Sequence, residues 1–155
     1  MTKEENIQSE LVKKFSFLEG KVTIRRVRRI FTDTVLENFA KVFEYALKDL
    51  SFTMLCGITG LDEGKTLGFI YHIAREDGIM LNIKVSVDRN NPIIKTITGY
   101  FPGADIYERE LMDLLGAKVE GLAKGNRYPL SDDWPVDEYP LRKDWKKKEG
   151  VNTHA

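Results

Sequence analysis

Three apolar segments follow one another between Thr53 and Val87, separated only by Asp62-Glu63-Gly64-Lys65 and Arg75-Glu76-Asp77-Gly78. Connections this short cannot carry a parallel crossover, so Thr53 to Leu61, Thr66 to Ala74 and Ile79 to Val87 read as antiparallel strands. In the third, Ile79, Leu81, Ile83, Val85 and Val87 alternate with Met80, Asn82, Lys84, Ser86 and Asp88. Side chains alternate across a strand, so one face of this sheet is buried and the other mostly wet. The buried face needs a cover. Thr32 or Asp33 can cap a helix whose Val35, Phe39, Val42, Phe43, Ala46, Leu47 and Leu50 form a wide apolar stripe, the main helix over the sheet. Thr2 with Glu5 reads as a capping box, and Ile7, Leu11, Phe15 and Leu18 continue a first helix over residues 3–18 until Gly20. Lys21 to Phe31 is β-branched but crowded by Arg25, Arg26, Arg28 and Arg29, and it reads as an edge or half-exposed strand with a bulge. Its arginines suit a solvated face or an acidic protein partner; nucleic acid would want a broader basic surface with stacking aromatics.

The expected fold class is therefore α+β, two-layer: a mostly antiparallel or mixed sheet covered by helices, with an extended C-terminal tail. The chain has 155 residues, 42% of them hydrophobic, which suits one compact domain, and residues 1–130 are read as that domain. Formal net charge is +0, so no global field draws in nucleic acid or anionic lipid. The single cysteine, Cys56, lies in an apolar run; it excludes an intramolecular disulfide, suggests a reducing compartment and reads as a small buried hydrophobe. Cys56, His72 and His154 are too scattered for a metal or cluster site held by this chain alone. No apolar run approaches the roughly 20 residues of a membrane helix, and Met1 to Gly20 is too charged for a signal peptide, so a soluble chain is expected.

Tyr107 to Gly116 packs Glu108, Arg109, Glu110 and Asp113 among apolar residues, which is costly unless the charges are paired or docked. Asp105 suits an N-cap and Gly116 a stop, and Arg109 can pair with Asp113 or with Asp105. Paired structural or interface charges explain this pattern better than an acid/base dyad, because Arg109 is well placed to neutralise a carboxylate. Gly57 to Gly60 and Gly64-Lys65-Thr66 lack the spacing and the following helix of a phosphate loop. His72 reads as a satisfied core or interface histidine, and residues 92–103 fit a strand or an ordered loop equally well. Gly121 to Ala155 reads as extended, because Pro129, Pro135 and Pro140 bar regular structure while Trp134, Tyr139, Leu141 and Trp145 still need burial.

E-R-E-x-x-D-x-x-G at Glu108 to Gly116, D-D-W at Asp132 to Trp134 and P-L-R-K-D at Pro140 to Asp144 resemble, in that order, the 30 kDa subunit family of respiratory complex I. That family has relatives in membrane-bound NiFe hydrogenases. Leu55, Ile58, Thr59 and Asp62 are similar to its strand ending in T-x-x-D, and Tyr71-His72-Ile73 to its Y-H-L strand. The resemblance implies interface or motif roles for Glu108, Arg109, Glu110, Asp113, Gly116, Arg127, Asp132, Asp133, Trp134, Leu141, Arg142, Lys143, Asp144 and Trp145, and no catalytic, cofactor or metal residue. The family's Gly-His-Pro-Asp-Leu-Arg-Arg is replaced here by Gly121-Leu122-Ala123-Lys124-Gly125-Asn126-Arg127. The short chain and the R-Y-P-L, W-P and Y-P-L-R-K-D-W segments look more like a free-standing subunit of group 4 energy-converting NiFe hydrogenases than like one of NADH:quinone oxidoreductase. A stand-alone binding module or carboxylate enzyme is the more distant alternative. The implied partners are a hydrogenase or complex I-type large subunit, a small iron-sulfur subunit and, indirectly, membrane subunits, with no nucleic acid. The partners would carry the iron-sulfur clusters and the nickel-iron centre. The chain would sit peripherally on the cytoplasmic side of the membrane, with residues 131–155 docking on a partner.

Overall fold

The computed structural model describes residues 1–148; residues 149–155, including His154 and the end of the expected tail, lie outside the described residues. The elements are α1 (Lys3–Lys14), β1 (Val22–Arg26), β2 (Arg29–Thr34), α2 (Leu36–Lys48), β3 (Met54–Asp62), β4 (Thr66–Ala74), β5 (Met80–Asp88), β6 (Ile93–Lys95), α3 (Ala104–Leu115) and β7 (Lys118–Glu120). Five strands form one sheet in the order β1-β2-β5-β4-β3, and β6 pairs with β7 in a second. The pairs β3/β4 and β4/β5 are antiparallel as their short turns require, whereas β2 runs parallel to β5, so the sheet is mixed. After β7 no helix or strand follows among the described residues.

One face of the sheet carries the core. Phe69, Tyr71, Ile73, Leu81, Ile83 and Ile30 are all at most 1% exposed. They share one apolar cluster with Ile7 and Leu11 of α1, Phe39, Val42, Phe43 and Ala46 of α2, and Leu111 and Leu115 of α3. The rings of Phe39 and Phe43 lie 4.5 and 5.9 Å from that of Tyr71, which seats α2 over the sheet centre. The described residues leave the other face uncovered. There Thr23, Arg25, Phe31, Leu61, Ile70, Asn82 and Lys84 line a shallow hollow of about 410 Å³. His72 Nδ1 lies 2.5 Å from Asn82 Oδ1 and its Nε2 2.8 Å from Thr59 Oγ1, while Asn82 Nδ2 donates to Ile30 O, so this histidine is satisfied across three strands.

Several local expectations change. The capping box of Thr2 and Glu5 is present, but α1 ends at Lys14, and Ser16–Leu18 forms a separate 3-10 turn that still buries Leu18. Lys21 to Phe31 is a hairpin rather than one strand: Val27 and Arg28 turn the chain, with Arg28 at φ 62°. Thr32 and Asp33 continue β2 instead of capping α2, because Thr32 and Thr34 pair in register with Ile83 and Val85. Val35 takes the N-cap position without a side-chain cap and is 51% exposed, outside the buried stripe. Cys56 is exposed rather than buried, because the β3/β4 register shifts between Leu55 and Gly57 and turns it out of the core. The undecided segment around residues 92–103 splits into β6 and a loop leading into α3. Gly103 precedes α3 and Asp105 sits inside its first turn, so the expected Asp N-cap is absent.

Candidate functional site: the motif helix and its strap

Helix α3 lies close against edge strand β3 because glycine leaves room for it. A Cβ on Gly60 would run into Leu115 Cδ1 and come within 2.7 Å of Leu111 Cδ2. Of the glycines weighed for a phosphate loop, Gly60 therefore serves helix-to-strand packing, whereas Gly64 turns the chain between β3 and β4 at φ 92°.

The charges of α3 are spent mostly within the chain. Glu108 is 0% exposed, and it accepts from Ile97 N at 2.7 Å and from Thr96 Oγ1 at 2.6 Å. Burial pushes its carboxyl above the ordinary range, against the lowering effect of those two donors. Arg109 pairs with Asp105 at 2.5 Å, one of its two expected partners, and donates to Ala123 O at 2.6 Å. Asp113 instead takes Arg127, whose Nε lies at 3.3 Å, and the Leu130 N–H at 3.1 Å. Arg127 also donates to Trp134 O at 2.8 Å, so one guanidinium ties the helix to the D-D-W turn.

Residues after β7 return across the end of α3 as a strap. Gly116 closes the helix at φ 77°, and a Cβ there would meet the Tyr139 ring at 2.6 Å. Leu141 N donates to Leu114 O at 3.0 Å and Arg142 Nε to Leu115 O at 2.7 Å. These donors satisfy carbonyls that a helix end leaves open, and the Arg142 charge suits the negative end of the helix dipole. Farther along, Asp62 at the end of β3, its side chain 1% exposed, receives Lys143 N at 2.7 Å, Gly64 N at 2.9 Å and the Arg89 guanidinium. Arg89 also pairs with Asp144. Burial raises the Asp62 carboxyl, but the Lys143 and Gly64 N–H groups and Arg89 outweigh it and hold the pKa at about 2. Trp134 and Trp145 stack with centroids 5.8 Å apart, and both indole N–H groups donate to Glu138.

A model of the family described as respiratory-chain NADH dehydrogenase, 30 Kd subunit, matches residues 32–151. The chain belongs to this family. Among curated relatives it is 33% identical to a subunit of the NADH-quinone oxidoreductase of Moorella thermoacetica over 98 residues, which are 61% of this chain and 65% of that protein. It is 37% identical to the beta subunit of the membrane-bound hydrogenase of Pyrococcus furiosus over 89 residues, 55% of this chain and 51% of that one. The chain thus spans about half to two thirds of the length of these relatives. A solved chain from the membrane-bound sulfane sulfur reductase, an archaeal respiratory membrane complex, superposes with a TM-score of 0.81 at 26% identity, covering 94% of this chain and 86% of that one.

Of the residues expected to carry the motif, Glu108, Arg109, Asp113, Gly116, Arg127, Trp134, Leu141, Arg142, Lys143, Asp144 and Trp145 are brought together by α3 and the strap. Three are left over. Glu110, half-buried, and Asp132 and Asp133, both exposed, have no side-chain hydrogen bond or ion pair among the described residues. Glu110 faces a groove of about 230 Å³ between β3 and α3, with Ile58, Thr59, Leu114 and the 55% exposed Leu141. The network also uses residues outside the expected set: Thr96, Asp62 and Arg89. Asp62 had a signal in the T-x-x-D strand ending, while Arg89, isolated after β5, had none. Among the described residues no group of three or more His, Cys, Asp or Glu side chains is placed to hold a metal ion, and no helix is long and apolar enough to cross a membrane.

Proposed function

We propose that this chain is a positioning subunit, without catalytic residues or cofactor of its own, in the peripheral part of a membrane-associated energy-converting NiFe hydrogenase. The observation that carries this reading is the division of labour in the motif. Most of its charges lock α3 and the strap into one rigid unit, while Glu110 keeps an uncompensated carboxylate beside the apolar rim of Leu114 and Leu141. A half-buried charge set in apolar surface is well suited to a partner's cation. In this reading the partners are a nickel-bearing large subunit and a small iron-sulfur subunit, which hold the metal centres, with membrane subunits reached through them on the cytoplasmic side. Fixed geometry between those partners lets electrons from ferredoxin reach protons while ions move. The hydrogenase assignment is supported by the likeness to the Pyrococcus hydrogenase subunit. The likeness to the Moorella protein favours a second reading, the equivalent subunit of an NADH:quinone oxidoreductase.

The test is purification of the tagged chain from native membranes in mild detergent, with partner identification and metal analysis. Co-purification of a nickel-bearing large subunit with ferredoxin-dependent hydrogen evolution is expected. A nickel-free set with quinone reduction would favour the second reading, and a chain purified without any other subunit would refute both. Glu110→Lys should abolish that assembly while leaving the thermal unfolding of the chain unchanged.

A further inference from the structure

The arginine-rich hairpin of β1 and β2 has no part in the strap. It lies at the opposite edge of the sheet, with β5 and β4 between it and β3. Strands are about 4.8 Å apart, so the two edges are separated by roughly 19 Å. Arg25, Arg26, Val27 and Arg28 are all exposed, and Val27 at the turn is 80% exposed. Arg25 lies over the Phe31 ring at 4.8 Å. Neither it nor Arg26 has an ion-pair partner among the described residues, and the charge of Arg28 faces Glu4.

This tip is held rigidly. Glu4 Oε1 accepts from Arg28 N at 2.7 Å, and Arg28 O accepts from Met80 N at 3.0 Å and from Arg29 Nη1 at 2.8 Å. Arg28 thus has both its backbone N–H and its carbonyl anchored, to α1 on one side and β5 on the other. Crowding guanidinium groups on a fixed turn is repulsive, and Arg25 and Arg26 have no carboxylate partner among the described residues to offset it. Rigid backbone with unpaired planar cations is a preorganised arrangement for bidentate carboxylates, which arginine suits better than lysine.

We propose that this hairpin tip is a second protein contact, inserting Val27 into an apolar hollow ringed by aspartates and glutamates on another subunit of the same assembly. Nucleic acid wants a broader basic surface with stacking aromatics, and an anionic membrane a cluster of roughly four or more free cations, whereas Arg28 here faces Glu4 and Arg29 is turned to backbone carbonyls; a local acidic recess needs only the tip. The inference depends on the proposed function only in taking the partner to be a subunit of the same assembly. With the strap side docked on the large subunit, the hairpin makes the domain a bridge between two neighbours.

The experiment places the photo-crosslinker p-benzoylphenylalanine at Val27 in the full chain within its native assembly. The expected product is a peptide of another subunit rich in Asp and Glu. Arg25→Glu with Arg26→Glu should weaken retention of that subunit about tenfold or more, with wild-type retention itself falling as salt rises. Reversing carboxylates of the crosslinked peptide to Lys should restore it. Thermal unfolding of the variant must match wild type, since the substituted side chains lie outside the core. Crosslinks only to lipid, nucleic acid or a second copy of this chain would overturn the inference, as would equal retention by the doubly reversed variant. If those results came with an intact nickel-bearing assembly, the proposed function would stand and the hairpin contact alone would fall. A chain without any partner would overturn both.

Discussion

Arg89→Ala isolates the fastening of the strap. In the folded chain Arg89 joins Asp62, whose side chain is 1% exposed, to Asp144, which is 77% exposed. Deleting the guanidinium leaves the Asp62 carboxylate buried with only the Gly64 and Lys143 N–H groups for company. Breaking a buried pair by removing one partner costs about 3 to 5 kcal/mol. The two remaining backbone donors each still contribute a charge-assisted hydrogen bond, which puts the expected loss near the lower end, about 3 kcal/mol. Asp144→Ala removes an exposed partner and should cost under about 1 kcal/mol. Both tryptophans of the chain, Trp134 and Trp145, lie in the strap, so indole fluorescence follows the strap while far-ultraviolet circular dichroism follows the domain. In urea the Arg89→Ala chain should lose its strap signal before its dichroism, whereas the wild type should lose both together. Equal losses from Arg89→Ala and Asp144→Ala, within about 0.5 kcal/mol, would refute the claim that Asp62 is an effectively buried anchor.

Gly116→Ala adds a Cβ at φ 77° and within 2.7 Å of two Tyr139 ring atoms, so it should cost at least about 1 to 2 kcal/mol and detach the strap by fluorescence; Gly103→Ala, with nothing within 4 Å, should be near neutral. The depressed pKa of Asp62 gives stability that is complete above its unfolded value of 3.8 and is lost as pH falls towards about 2, which acid titration of the strap fluorescence should display. Glu108 has the opposite sign: its raised pKa gives stability that is complete below the unfolded value of 4.5 and is lost as pH rises through the folded value, so Glu108→Gln should flatten that part of a melting-temperature profile. Arg109→Ala should cost about 1 to 2 kcal/mol in urea unfolding rather than the larger penalty of a buried pair, because its partner Asp105 is 50% exposed; Arg26→Ala should change nothing measurable.

The central sheet was legible because period and turn length act locally. Three strands appeared within about one residue of their expected bounds, and the stripe from Phe39 to Ala46 found its place over Tyr71. The misread elements were those in which a tertiary partner overrode a local preference. Thr32 and Asp33 are good helix caps, yet they were drawn into β2 by pairing with β5, which is some fifty residues away in sequence. Asp105 could cap α3, but the helix starts one residue earlier, at Ala104, and the Asp105 carboxylate pairs with Arg109 one turn on instead. Cys56 looked like core from its apolar neighbours, and only the register shift beside it exposes the thiol.

The order of motifs, E-R-E-x-x-D-x-x-G, D-D-W and P-L-R-K-D, determined the family by itself, since order and spacing are properties of the chain alone. It also determined that the motif's charges needed partners, because burying ions without them is prohibitive. Which partners they found was decided in three dimensions. Asp113 took Arg127, the end of α3 took Arg142, and Asp62 took Arg89 and the Lys143 N–H from 81 positions away. Electrostatic pairing acts over a few ångströms of space regardless of separation along the chain. Only the folded structure could therefore divide the motif between residues that fasten the strap and those, such as Glu110, whose side chains find no partner among the described residues.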